Sequence, residues 1–125
     1  MFSKSDPPTQ MTNYISHNNK AIIQDTILQN IIYQIVNIAH PDKIILFGSR
    51  ATGKAKKDSD YDICVLKKNV KNIGELEKKF YMDLYGVGAG VDVIVQSEKK
   101  FNQLKDKWFL IYNNVFNHGK IVYEK

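Results

Sequence analysis

The chain has 125 residues, 43% of them apolar and 25% charged, which suits one folded domain with a single core and leaves no room within it for a second. This composition excludes a disordered polypeptide, and no apolar run is long enough to span a bilayer. The net charge of +5 suits an anionic ligand such as a nucleotide. The lysines are scattered and the aromatics do not interleave with them, so direct nucleic-acid binding is not expected.

Residues 1–19 are polar, aperiodic and proline-bearing at Pro7 and Pro8, and read as a flexible arm ahead of a single domain over 20–125. They lack the apolar core of a signal peptide, so a cytoplasmic location is expected. From Lys20 to Ala39, Ile23, Ile27, Ile31, Ile35 and Ile38 recur at helical spacing, and one broad apolar face should pack on a core. His40-Pro41 ends that helix, because the residue before proline avoids the α region.

Lys43–Phe47 is a short apolar run that reads as a strand buried on both faces, and Tyr61–Leu66 and Val91–Val95 are similar runs. Between the last two, Ile73, Leu76, Phe80 and Leu84 mark a helix over Ile73–Tyr85. A final helix is expected from Glu98 to Asn117, with Phe101, Leu104, Trp108, Ile111, Tyr112 and Val115 on its inner face. Gly119 stops it, and Lys120–Glu124 forms a short extended tail. The order is α-β-β-α-β-α, an α/β or α+β domain with a mixed sheet of three to four strands flanked by helices. Cys64 is the one cysteine, which reads as a buried free thiol of a reducing compartment.

The chemistry concentrates at three places. Asp60 and Asp62 are spaced i, i+2, so they project to the same face at the start of a strand while Tyr61 turns the other way. Two carboxylates so close stay ionised most easily around a cation, and hard oxygen ligands suit Mg²⁺ or Mn²⁺. Asp92 interrupts the apolar run of a neighbouring strand and could complete a site for two metal ions, with Val91, Val93 and Val95 facing the core. Upstream, Gly48-Ser49-Arg50 follows a buried strand. There glycine permits close backbone approach to a phosphate, serine offers a hydroxyl and arginine a fork of donors. Taken singly, each piece has an ordinary explanation: a polar turn, a strand-end aspartate, a surface arginine. Their coincidence points to nucleotidyl transfer.

Two glycine patterns mislead. Gly48 to Lys54 reads nearly as a P-loop, but Ala55 stands where Ser or Thr must reach Mg²⁺. Gly86 to Gly90 is similar to a dinucleotide fingerprint, yet it precedes a strand and is read as a flexible loop. The histidines His17, His40 and His118 are dispersed and lack ligand spacing.

With those residues in view, the chain resembles the minimal nucleotidyltransferases of the DNA polymerase β superfamily. Their signature is Gly-Ser, a connector, Asp-x-Asp, and a third Asp on a later strand. Here these are Gly48-Ser49, Asp60-Tyr61-Asp62 and Asp92. The resemblance implies that Gly48 and Ser49 hold the triphosphate, that Asp60 and Asp62 bind both Mg²⁺ ions, and that Asp92 binds the catalytic one. ATP is the implied substrate. Small members of this superfamily are often prokaryotic antitoxins that transfer AMP to a tyrosine of a HEPN-domain RNase toxin, so such a toxin is the implied partner. Transfer to a small hydroxyl compound, as in aminoglycoside-type enzymes, and neutralisation by binding alone remain open alternatives.

Overall fold

A computed structural model describes residues 24–125 of the chain. The expected arm over 1–19, the first residues of the expected helix from Lys20, and His17 lie outside the described residues. The elements in chain order are α1 (Thr26–Ala39), β1 (Lys43–Phe47), the short α2 (Ser49–Thr52), β2 (Tyr61–Leu66), α3 (Ile73–Asp83), β3 (Val91–Gln96), α4 (Glu98–Leu104), α5 (Ile111–His118) and β4 (Lys120–Glu124).

Helix α1 starts where Asp25 accepts a hydrogen bond from the Leu28 N–H at 3.0 Å, satisfying a donor that the first turn leaves unpaired. It stops at His40, whose left-handed φ of 47° ends the helix immediately before Pro41. Asn72 caps α3 in the same way, accepting from the Glu75 N–H. That helix ends at Asp83, close to the expected limit.

The sheet order is β3-β2-β1-β4. β1 runs antiparallel to both β2 and β4, and β2 runs parallel to β3, so the sheet is mixed, as expected. Alternation along the strands sends Ile44, Leu46, Tyr61, Ile63, Val65 and Val95 to one face, where they pack against α1 and α3. The other face sends Ile45, Phe47, Cys64 and Leu66 against Phe101 of α4 and Val115 of α5. Both faces of β1, and of β2 from Ile63 onward, are therefore covered, which is why these stretches read as apolar runs. Burial pushes the Cys64 thiol up to about 12, so it stays protonated and inert. Among the described residues no helix is long and apolar enough to cross a membrane.

Two expectations need correction. The final helix is broken: α4 ends at Leu104, α5 begins at Ile111, and the Asn113 side-chain amide donates to the Lys105 carbonyl at 2.8 Å across the break. An unbroken helix over 98–117 would be about 30 Å long, whereas a six-residue strand spans only about 20 Å. The chain must turn back to keep both Phe101 and Val115 over the sheet. Trp108, expected on the inner face, sits in that turn at 84% exposure, and Ile111 is half exposed. The second correction concerns the expected tail, which is a full fourth strand. β4 pairs with β1 and buries Val122 and Tyr123.

Candidate active site

The three aspartates lie at one end and on one face of the sheet. Parallel pairing sets Asp62 of β2 directly beside Asp92 of β3, and Asp60 stands one pleat before Asp62 on the same side. This is the face that α4 and α5 cover further along. The helices reach Cys64 and Leu66 but leave the aspartate end open, so Asp60 and Asp92 are exposed and Asp62 is half-buried. Tyr61 turns to the opposite face, as its place in the alternation requires, and is buried. Val95 is buried in the core behind Asp92, with Val91 and Val93 packed partly buried around it.

Electrostatics follow from this gathering. Burial, and then the charges of Asp92 and Asp60, hold the Asp62 carboxyl above its ordinary range. Like charges drawn together without a basic neighbour among them disfavour ionisation, and a cation relieves the conflict. Among the described residues no group of three His, Cys, Asp or Glu side chains stands close enough to enclose a metal ion. The aspartates share an end and a face of the sheet without converging on one point. Their oxygens, on an open surface with room for water and phosphate, fit a hard divalent cation better than zinc.

Glycines shape the two walls. Gly48 follows β1 with φ of 72°, and a Cβ there would collide with the Asp62 carboxylate. Both the backbone conformation and the close approach therefore require glycine. Ser49 opens the short α2 next to it and is half-buried. On the other side, a Cβ on Gly90 would collide with the Asp60 carboxylate, and the Gly90 carbonyl accepts from the Tyr61 N–H at 2.9 Å. The segment Gly86 to Gly90, read as a flexible loop, thus supplies a wall of the site.

Arg50, expected to reach a phosphate, faces elsewhere. Its Nε and Nη2 donate to the Ser59 carbonyl at 3.2 and 2.8 Å, and Nη2 also donates to the Lys57 carbonyl at 3.2 Å. The guanidinium lies 4.2 Å from the centre of the Tyr61 ring, a cation–π stack. The Tyr61 hydroxyl in turn donates to Asp25 Oδ2 at 2.7 Å. Arg50, Tyr61 and Asp25 thus tie the connector before Asp60 to the start of α1. In this position Arg50 fixes the connector that leads into Asp60 and β2, and its donors are spent on the Ser59 and Lys57 carbonyls. Sequence reasoning placed Tyr61 on the opposite face but missed its contacts with Arg50 and Asp25, and it missed the parts of Gly90 and Asp25. Only Asp25 carried a readable signal, a capping residue ahead of an apolar run.

The family described as polymerase beta, nucleotidyltransferase, matches residues 28–125. A protein of Methanocaldococcus jannaschii provisionally named a protein adenylyltransferase is 35% identical over 86 residues, covering 65% of this chain and 77% of that protein. A crystal structure of a toxin–antitoxin with AMP-PNP superposes with a TM-score of 0.51 at 25% identity, covering 77% of this chain and 73% of that one. A mutant of the toxin–antitoxin MntA–HpeT gives 0.49 at 22% identity over the same shares. The carboxylates and the glycine turn lie within the matched residues, and the sheet is the mixed four-stranded one that the resemblance implied. The chain belongs to the polymerase β nucleotidyltransferase family and is a minimal nucleotidyltransferase.

Proposed function

We propose that the chain transfers AMP from ATP, with Mg²⁺ or Mn²⁺, to a tyrosine hydroxyl of a partner HEPN RNase toxin, and so acts as a cytoplasmic antitoxin. The observation that carries this reading is the gathering of Asp60, Asp62 and Asp92 at one open sheet end, beside a glycine turn that touches Asp62. The adenylyltransferase name of the archaeal relative and the likeness to a toxin–antitoxin bound to AMP-PNP support the AMP group and the toxin partner.

In this reading the Gly48-Ser49 turn holds the triphosphate through backbone and hydroxyl donors. Asp60 and Asp62 would hold both ions and Asp92 the catalytic one. Bound there, the ions neutralise phosphate charge and lower the pKa of the attacking hydroxyl. The acceptor oxygen forms a bond to the α-phosphorus of ATP, the bond from that phosphorus to the bridging oxygen breaks, and pyrophosphate leaves. The acceptor's proton passes to the Asp92 carboxylate. Arg50 and Tyr61 keep Asp60 and Asp62 aimed by fixing the connector and the strand between them.

The test is label transfer from α-³²P-ATP with Mg²⁺ in host lysate or with a co-purified partner, comparing the wild type with Asp60→Asn/Asp62→Asn. A labelled protein band made only by the wild type is expected. Label found only in small molecules would replace the protein acceptor by a small hydroxyl compound. No transfer despite tight partner binding would leave neutralisation by binding alone.

A further inference from the structure

The acceptor must reach the carboxylates from a side that the triphosphate does not occupy, and the strand order separates the two. Gly48 and Ser49 follow β1 on one flank of Asp62, while Asp92 lies on the other flank, on β3 at the margin of the described sheet. The ladder to β2 fixes which backbone groups of β3 face outward. Tyr61 donates to the Gly90 carbonyl and Lys67 to the Gln96 carbonyl, so Gly90, Asp92, Ile94 and Gln96 turn their backbone groups toward β2. Val91, Val93 and Val95 turn theirs to the outer edge. At Val95 that edge is closed, because its N–H donates to Glu77 Oε2 at 2.9 Å. The outward groups of Val91 and Val93 bracket Asp92.

A cavity of about 250 Å³ adjoins this same end, between the end of α3 and the start of β3, lined by Tyr81, Leu84, Tyr85, Ala89, Gly90 and Val91. Two of its walls are aromatic rings left 74% and 87% exposed, Tyr81 and Tyr85. The cavity lies on the α3 side of the sheet, behind Asp92, and Gly90 joins it to Asp60.

We propose that the partner's acceptor segment binds as an added strand along Val91–Val93, presenting its hydroxyl residue to Asp92 and a neighbouring apolar or aromatic residue to the Tyr81–Tyr85 cavity. This rests on the protein-acceptor reading above. Side chains of an added strand alternate between the same two faces as those of β3. One residue therefore stands over the carboxylate face while the next drops into the cavity behind it. The occupant is an extended segment of a protein, because a compact small molecule could fill the cavity or reach Asp92 but would have no use for the outward groups of Val91 and Val93.

The experiment uses the protein that takes the label in the transfer assay, added to the full chain with Mg²⁺ and a non-hydrolysable ATP analogue. Amide hydrogen exchange at Val91 and Val93 should slow on adding that protein. Tyr81→Ala/Tyr85→Ala should raise its KM about tenfold, while the thermal shift produced by Mg²⁺ with ATP is retained. Both tyrosines are exposed, so the fold does not depend on them. Unchanged exchange and unchanged KM, with labelling intact, overturn the added strand and leave protein adenylylation standing. Slow exchange at Val91 and Val93 in the free chain would mean that another segment already covers the edge, and also overturns it. Failure of the wild type to label any protein overturns both readings.

Discussion

Along β2 the side chains on the α4–α5 face run Asp62, Cys64, Leu66, from half-buried charge to complete burial within two pleats. At the Leu66 end, Phe101 and Val115 pack over the strand and bury its apolar side chains. At the Asp62 end the helices stop short, and three like charges stand on strands that an apolar side chain would hold more firmly. The two ends share backbone, register and twist. They differ in what the helices above them cover, and that cover decides which end packs and which can bind.

The sharpest contrast comes from truncating the covered end. Phe101 is buried and meets Tyr112 edge-on, with ring centres 6.0 Å apart. Phe101→Ala should lower unfolding free energy by about 3 kcal/mol, the low end of the range for such truncations. The ring already borders a cavity of about 280 Å³, so part of the space it leaves can fill with water. Urea unfolding measures the loss, and AMP transfer per folded molecule at low temperature should stay near wild type. A loss of transfer matching a catalytic substitution would mean that the covered end is not merely packing.

At the open end the signs reverse. Asp62→Asn removes a charge that burial, and then Asp92 and Asp60, oppose, so the variant without metal should melt a few degrees higher than wild type. The rise stays small because the site opens to solvent and screening already trims the repulsion. Transfer should fall by at least about a hundredfold, and the added stabilisation by Mg²⁺ with ATP should vanish. Thermal melts with and without Mg²⁺ and ATP, beside the radiolabel assay, check all three. A variant less stable than wild type without metal would show that Asp62 is a structural carboxylate.

The open end was the more legible in the sequence. A carboxylate inside an apolar strand violates the local pattern, and the i, i+2 spacing of Asp60 and Asp62 fixes their common face before any fold is known. What the residues around them do was hidden, because it depends on contacts between distant segments. Nothing local to Gly90 announces Asp60, and nothing in Arg50 says that its guanidinium will hold the Ser59 carbonyl instead of a phosphate. The strand β4 was half legible: Lys120–Glu124 read as a short extended segment, but nothing in it named β1 as the strand it pairs with. The covered end misled in another way. Phe101, Leu104, Trp108, Ile111, Tyr112 and Val115 keep helical phase straight through the break, and no proline or glycine marks it.

Trp108 tests that last point with the smallest expected effect. Were it an inner-face residue of one long helix, its removal would cost several kcal/mol, as buried aromatics do. In the turn between α4 and α5 it is 84% exposed and touches Phe109 edge-on, with ring centres 5.7 Å apart. Trp108→Ser should therefore shift stability by no more than about 0.5 kcal/mol, whereas the helical-phase argument applied to the same residue demands the larger loss. Denaturant melts of the variant separate the two. A small shift places Trp108 outside both packed and catalytic ends of the sheet, and a loss of several kcal/mol would restore the unbroken helix over 98–117 and bring the indole back over the sheet.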